Sequence, residues 1–390
     1  MRIFIVAPFC SLPGEPYFNR FLRLATMLAE RHEVILITSR FRHFDKTQRT
    51  VLEYAKNFSI VLIEEPGYKK NVSLSRVWSH ACFFRNFKLW FEGEMRRKKV
   101  DVVYSAYPLI STNIYLGSVK KKFDFKLIID VQDIWPESIA SVIPLLRHIN
   151  PRFLPFSGKA DKAYKSADAL VAVSDTYLCR AKLVNLEAPS KVVYIGCEGL
   201  KVEKLNPFDS ESKVINFVYV GTLSHSYDLK TVVRGFSKIW NDGERRMMLH
   251  VLGDGPDRKE LEILASPNTK FYGFIDYSKM LSFIGRADVC INALSVGAQQ
   301  SITNKFCDYM LLGKCIVNSQ TNMEVLSILK NFSHINYLAG NLDSFILAVK
   351  SSINVKKDRP DPSLLKEFDR SFSYPELIRF IEFSHRQLSA

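Results

Sequence analysis

Residues 216–256 read NFVYVGTLSHSYDLKTVVRGFSKIWNDGERRMMLHVLGDGP. Two apolar runs, FVYVG and MLHVLG, flank a segment from Leu229 to Asp242 with helical spacing. A continuous apolar run suits a strand buried on both faces. Strand, helix and second strand in that order predict a parallel crossover unit. The Gly-Asp-Gly-Pro after the second run is a tight turn that lets backbone approach a ligand.

The same alternation continues on both sides. Downstream come a helix over 258–265, TKFYGF, a helix over 278–285, DVCINAL, a helix opened by SITNKFCDYMLLGK, and CIVNS. Upstream stand RIFIVAP, the helical FLRLATMLAERH, EVILITS, SIVLIEE, a long helical stretch over 75–99, VDVVYSA, KLIIDVQ, ALVAVS and KVVYIG. Strands alternating with helices predict α/β architecture with parallel, doubly wound sheets. At 390 residues, 47% of them hydrophobic, the chain suits two domains. A polar stretch near 201–213 separates the series, so we place the domains at 1–203 and 204–372. The amphipathic segment 373–390 is expected to pack back on the first domain. No run of eighteen apolar residues occurs, and MRIFIVAPF reads as a first strand, not a leader.

Charge and cysteine content narrow the function. The net charge is +14. Residues 1–200 hold 30 Lys and Arg against 19 Asp and Glu, whereas residues 201–390 hold 24 against 21. The first half should therefore meet something acidic. Nucleic acid is disfavoured as a partner, since no zinc pattern, RNA-binding aromatic motif or repeated basic module occurs. A nicotinamide dehydrogenase is disfavoured because no GxGxxG follows a strand. The seven cysteines (10, 82, 179, 197, 290, 307 and 315) have no metal spacing, which predicts reduced thiols in the cytoplasm and no structural zinc. SRVWSHACFFRNFKLWFEGEMRRKK, residues 75–99, mixes cations with Trp78, Phe83, Phe84, Phe87, Trp90 and Phe91. Such a helix suits either an anionic lipid surface or a core-facing position.

The segments FVYVGTLSHSYDL, LHVLGDGPDRKEL, FYGFIDYSKM, ADVCINAL and SITNKFCDYMLLGKCIVNS occur in one order. With LPGEPYFNRFLRLATMLAERHEVILITS, DVQDIWPES and ADALVAVSD in the first half, this order resembles retaining glycosyltransferases of family 4, in the bacterial surface-polysaccharide branch. The resemblance implies the GT-B architecture, two Rossmann-like domains facing a central cleft. It implies transfer of a sugar from a nucleotide-sugar donor, expected to be UDP-linked, to a lipid-linked saccharide acceptor. No metal or other cofactor is expected, because no DxD motif appears in the second half. The implied place is peripheral, on the anionic cytoplasmic face of an inner membrane. A sugar-nucleotide epimerase of the same architecture is the enzymatic rival. The oligomeric state is left open.

Residue by residue, a diphosphate is expected at the helix start holding Ser301, Asn304 and Lys305, where amides and a cation converge. The position matching the family's ribose-binding glutamate is Asp308. The position matching its sugar-contacting glutamate is Gln300, an amide that donates as well as accepts. Gly221 and Thr222 occupy the first phosphate loop, but Thr222 and Asp228 stand where the family places two cations. Lys305 must then carry more of the neutralisation, or Lys230 reaches in. Gly253 flanks the nucleotide, backbone groups of Phe274 read the base, and His225 lines the site. In the first half Asp133 is the candidate beside the reacting sugar, with Asp130 and Glu137 as alternatives. Gly14, Tyr17 and Arg20 are candidate acceptor contacts. Catalytic roles are thus expected for Asp133, Gln300 and Lys305.

Overall fold

The structure is a computed structural model describing residues 1–15, 20–50, 57–70, 73–138, 153–197, 214–298, 301–355 and 360–387. Its strands are β1 Arg2–Val6, β2 Glu33–Ser39, β3 Phe41–Arg42, β4 Thr47–Gln48, β5 Ser59–Ile63, β6 Val102–Tyr107, β7 Lys126–Val131, β8 Ala169–Ala172, β9 Ser190–Val192, β10 Ile215–Val220, β11 Met247–Leu252, β12 Thr269–Gly273, β13 Val289–Asn292, β14 Cys315–Asn318 and β15 His334–Asn336. They form two separate parallel sheets and one small hairpin, β3–β4. The fold is α/β with two Rossmann-like units, as the alternating pattern predicts.

The chain divides into two compact units with boundaries at Val193/Tyr194 and Ser373/Tyr374. The position expected for the first boundary, 203/204, lies outside the described residues. The first unit carries the sheet β5-β2-β1-β6-β7-β8-β9. β1 pairs in parallel with β2 and β6, and β6 with β7. Its core packs Ile3, Ile5, Leu24, Leu28, Val34 and Leu36 with Tyr374, Leu377 and Ile381 of the last helix, Arg370–Gln387.

One expectation for this unit needs correction, and one open alternative, that of its long helix, is decided. Arg20 is buried, with only 2% of its surface exposed. Its Nε donates to Asp130 at 2.7 Å and its Nη1 to the carbonyl of Val193 at 2.5 Å. Tyr104 Oη donates to the same Asp130 oxygen at 2.7 Å. Arg20 therefore compensates a buried carboxylate instead of meeting an acceptor. In the helix Leu74–Arg97, Phe83, Phe87, Phe91 and Met95 are buried at helical spacing, and Trp90 meets Phe4 at 5.4 Å. Most aromatics that suggested a lipid-facing helix thus face the core. The outward apolar residues are Leu74, Val77, Trp78 and Leu89.

The second unit carries the sheet β12-β11-β10-β13-β14-β15. β10 pairs with β11 in parallel from Ile215↔Met247 to Val220↔Leu252, and Cys290 of β13 lies opposite Val218. The helix Leu229–Asn241 buries Leu229, Val232, Val233, Phe236 and Ile239 against that sheet. Of the seven cysteines, five are buried, Cys82 is half-buried and Cys179 is exposed. Among the described residues, no helix is long and apolar enough to cross a membrane.

Candidate functional site

Ligands of open α/β sheets collect at the carboxyl ends of the strands. In the second unit those ends are built from glycine. Gly221 follows β10 with φ +135°, Gly253 follows β11 with φ +135°, and Gly273 ends β12 with φ +68°. The Gly221 amide donates to the Leu252 carbonyl at 2.9 Å, and the Gly253 amide to the Gly273 carbonyl at 2.8 Å. A Cβ on Gly255 would lie 2.3 Å from the Leu223 carbonyl oxygen. The floor of the site is therefore backbone.

Lys305 stands against this floor. The helix Asn304–Leu311 follows β13, and its N-cap residue, Thr303, makes no side-chain capping bond. Lys305 is 5% exposed, and its Nζ has no hydrogen-bond partner among the described residues. The Thr303 Oγ1 is likewise buried without one. The ammonium lies 4.2 Å from the ring centroid of Tyr219 and 4.0 Å from that of Tyr227. Cation–π attraction offsets part of its desolvation. Burial still pushes its pKa well below the usual lysine value. A Cβ at position 221 would sit 3.5 Å from Nζ, so glycine keeps the approach to the amine open.

The remaining members of the predicted set fall around this lysine in different ways. Gln300 and Tyr17 lie outside the described residues. Ser301 is buried, and its Oγ donates to Glu324 at 3.0 Å. Gln320 Nε2 donates to the Ser301 carbonyl at 2.9 Å, within an amide ladder that joins Asn292, Asn318 and Asn336 at the ends of β13, β14 and β15. That ladder holds the loop before the helix. Asn304, Thr222, His225 and Phe274 are exposed. Thr222 accepts from Tyr219 Oη at 3.1 Å through its carbonyl, and His225 from Ser295 Oγ at 2.8 Å. Lys230 is paired with Glu260 at 2.6 Å on the surface, so it does not replace the missing loop cations. Asp228 accepts from Thr231 Oγ1 at 2.7 Å and from the Gly340 amide at 2.8 Å, and makes no capping bond to the amides of the helix it precedes. Tyr219, Tyr227 and Thr303 belong to the site and escaped the sequence reading.

Asp308 is 3% exposed and accepts from Tyr277 Oη at 2.7 Å. Burial raises its pKa to about 6, against the opposing pull of Tyr277 and Cys197. A ribose contact by Asp308 would compete with Tyr277. A raised folded pKa means that this group's stabilising contribution is complete below about pH 4 and is lost as pH rises through about 6. By pH 8 the buried carboxylate costs up to about 3 kcal/mol. Asp308→Asn is therefore expected to gain stability relative to wild type between pH 4 and pH 8. Urea denaturation at both values checks this, and an equal difference at the two would contradict it.

In the first unit Asp133 follows β7, is half-buried, and accepts from the Ile134 amide at 2.8 Å. Glu137 is buried in an ion pair with Arg180, which also meets Asp161 at 2.8 Å. Gly14 takes φ +82° in the loop after β1. Among the described residues no group of three metal-ligating side chains converges.

No family model matches the chain. An uncharacterized glycosyltransferase of Methanocaldococcus jannaschii is 23% identical over 167 residues, which is 40% of this chain. The match spans 42% of that relative's length. Among solved structures, sucrose-phosphate synthase of Thermosynechococcus elongatus superposes with a TM-score of 0.71 at 12% identity, covering 99% of this chain and 98% of its own. HepE of Anabaena, solved with UDP and glucose, gives 0.64 at 12% identity over 98% and 99%. The lipopolysaccharide outer core galactosyltransferase WaaB gives 0.60 at 16% identity over 98% and 99%. The fold is that of GT-B glycosyltransferases.

Proposed function

We propose that this chain is a glycosyltransferase whose second unit holds a nucleotide-sugar donor, UDP-linked, by its diphosphate. The observation that carries the reading is the Lys305 Nζ, buried beside Gly221 with no hydrogen-bond partner among the described residues. A dry cation at a helix start is costly alone and favourable once a dianion arrives. HepE, of the same fold, was solved with UDP, which supports a uridine diphosphate. In this reading Gly221, Thr222, Gly253, Ser301 and Asn304 surround the diphosphate, Phe274 the base and His225 the sugar. Gln300 and Asp133 act at the sugar undergoing transfer, and Gly14 and Tyr17 at a lipid-linked saccharide of a surface polysaccharide. Transfer retains the anomeric configuration without a metal, since Lys305 and amides neutralise the leaving diphosphate. The enzyme works peripherally at the cytoplasmic face of a membrane.

The test is calorimetric titration with UDP, GDP, ADP and CMP. UDP is expected to bind at least tenfold more tightly than CMP, with loss of binding in Lys305→Ala. Equal, weak heats for all four would sink the donor-site reading.

A further inference from the structure

A second polar cluster lies at the carboxyl edge of the first unit's sheet. Phe9 follows β1, His43 and Lys46 sit in the β3–β4 turn after β2, and Tyr68 follows β5. Arg76 and His80 come from the first two turns of the helix Leu74–Arg97. Tyr68 is the centre. His43 Nδ1 is 2.6 Å from its hydroxyl, Lys46 Nζ lies 4.9 Å and the Arg76 guanidinium 5.5 Å from its ring centroid, and the His80 ring is 5.7 Å away. Phe9, exposed, leans on both imidazoles at 4.9 and 5.8 Å.

The cluster is held rigidly. Buried Glu65 accepts from Ser39 Oγ and Ser79 Oγ, and Ser79 Oγ in turn accepts from the Gly67 amide at 2.8 Å. These bonds pin the segment carrying Tyr68 between β2 and the helix. Lys46 is placed by a turn in which it takes φ +61°, a conformation that costs a non-glycine residue energy.

Its electrostatics favour an anion. Two side-chain cations and the positive end of a helix converge on two imidazoles. Burial first, then Lys46 and Arg76, lower the pKa of His43 to about 4, and burial and Arg76 lower that of His80 likewise to about 4. The Nε2 of His80 is buried and has no hydrogen-bond partner among the described residues. The nearby carboxylates are engaged, Asp45 with Arg42 at 2.6 Å and Glu65 as described. A tetrahedral anion supplies several acceptors at once and relieves the like-charge repulsion.

The neighbouring surface defines what the anion is attached to. On the same helix turns, Leu74, Val77 and Trp78 form a stripe at i, i+3 and i+4, exposed by 89%, 68% and 66%. A cationic cradle beside an apolar stripe matches an amphiphile. We propose that Lys46, Arg76, His43 and His80 bind the phosphate group of an apolar-chain phosphate ester, whose chain lies along Leu74, Val77 and Trp78. Its role as the acceptor's lipid end rests on the glycosyltransferase reading; the binding does not.

The experiment follows the His43 and His80 ring signals by NMR in the full chain, assigned with His43→Gln and His80→Gln. The background is Lys305→Ala, so that the donor site is silent. Inorganic pyrophosphate and octyl phosphate are titrated separately, then vesicles of phosphatidylglycerol in phosphatidylcholine. Both soluble probes are expected to move the two signals. Arg76→Gln should weaken both about tenfold, through one lost charge-assisted contact. Trp78→Ala should weaken octyl phosphate alone. Shifts with vesicles as well would identify a bilayer headgroup as a source, and shifts with the soluble probes only would identify a single lipid-phosphate molecule. Silent His43 and His80 signals at saturating probe, or affinities unchanged in both Arg76→Gln and Arg76→Lys, would overturn the site. UDP binding in wild type with silent histidines would remove this inference alone. Responsive histidines without UDP binding would remove the donor reading alone.

Discussion

Replacing Lys305 with methionine is expected to make the ligand-free protein more stable and to abolish diphosphate binding. The ammonium is buried without an acceptor among the described residues, and two tyrosine faces offset only part of its desolvation. Exchanging a buried charge for an apolar chain of similar length gains about 1–3 kcal/mol. For a unit of this size each kcal/mol raises the melting point by roughly 2–4 °C. The sign with pH follows from the lowered pKa. The penalty of the buried charge is complete below the folded pKa and fades as pH rises through the ordinary lysine value. The gain of Lys305→Met over wild type should therefore shrink towards pH 10–11, near the ordinary lysine value of about 10.4. Calorimetry of the second unit's transition at pH 7 and pH 10.5 measures it. A binding residue that lowers stability is the usual compromise of a functional site. A purely structural lysine would give the opposite result, a destabilised variant.

The largest destabilisation is expected for Gly253→Ala. A Cβ there would stand 2.0 Å from the Gly221 carbonyl oxygen, and both groups are backbone. The residue also holds φ +135°, which an alanine rarely adopts. Neither clash can relax by rotating a side chain. The cost is about 3 kcal/mol or more. Gly243→Ala is the control, with φ +95° and nothing within 4 Å of the new methyl, at a cost of about 1 kcal/mol. Urea midpoints of both variants should differ accordingly. Equal midpoints would mean that the ends of β10 and β11 are not in contact as described.

Most of the architecture was legible because parallel strands are buried on both faces. FVYVG and MLHVLG have no polar alternation to mislead, and they became β10 and β11. The elements that escaped notice are short or polar. β15 is His-Ile-Asn at the sheet edge, and β3 and β4 have two residues each. Among the described residues β3 and β4 pair only with each other and β15 only with β14, and segments of two or three residues are too short to show a local period.

The site was legible in part. Lys305 stood out because a lysine at a helix start opposes the dipole unless an anion is near. The rings that receive it did not stand out. Tyr219 lies within an apolar strand and Tyr227 in a loop, and only the folded chain brings both faces to one ammonium. Arg20 was misread for the same reason. Its partner Asp130 is 110 residues away, so the sequence presents a loop arginine where the fold has a buried ion pair.

The most direct measurement is the titration of the Lys305 amine by NMR of the labelled side chain, assigned with Lys305→Met, without ligand and at saturating UDP. The account predicts a pKa well below the usual lysine value in the free protein and a marked rise when the diphosphate binds. An ordinary lysine pKa in the free protein, or one that UDP leaves unchanged, would contradict it.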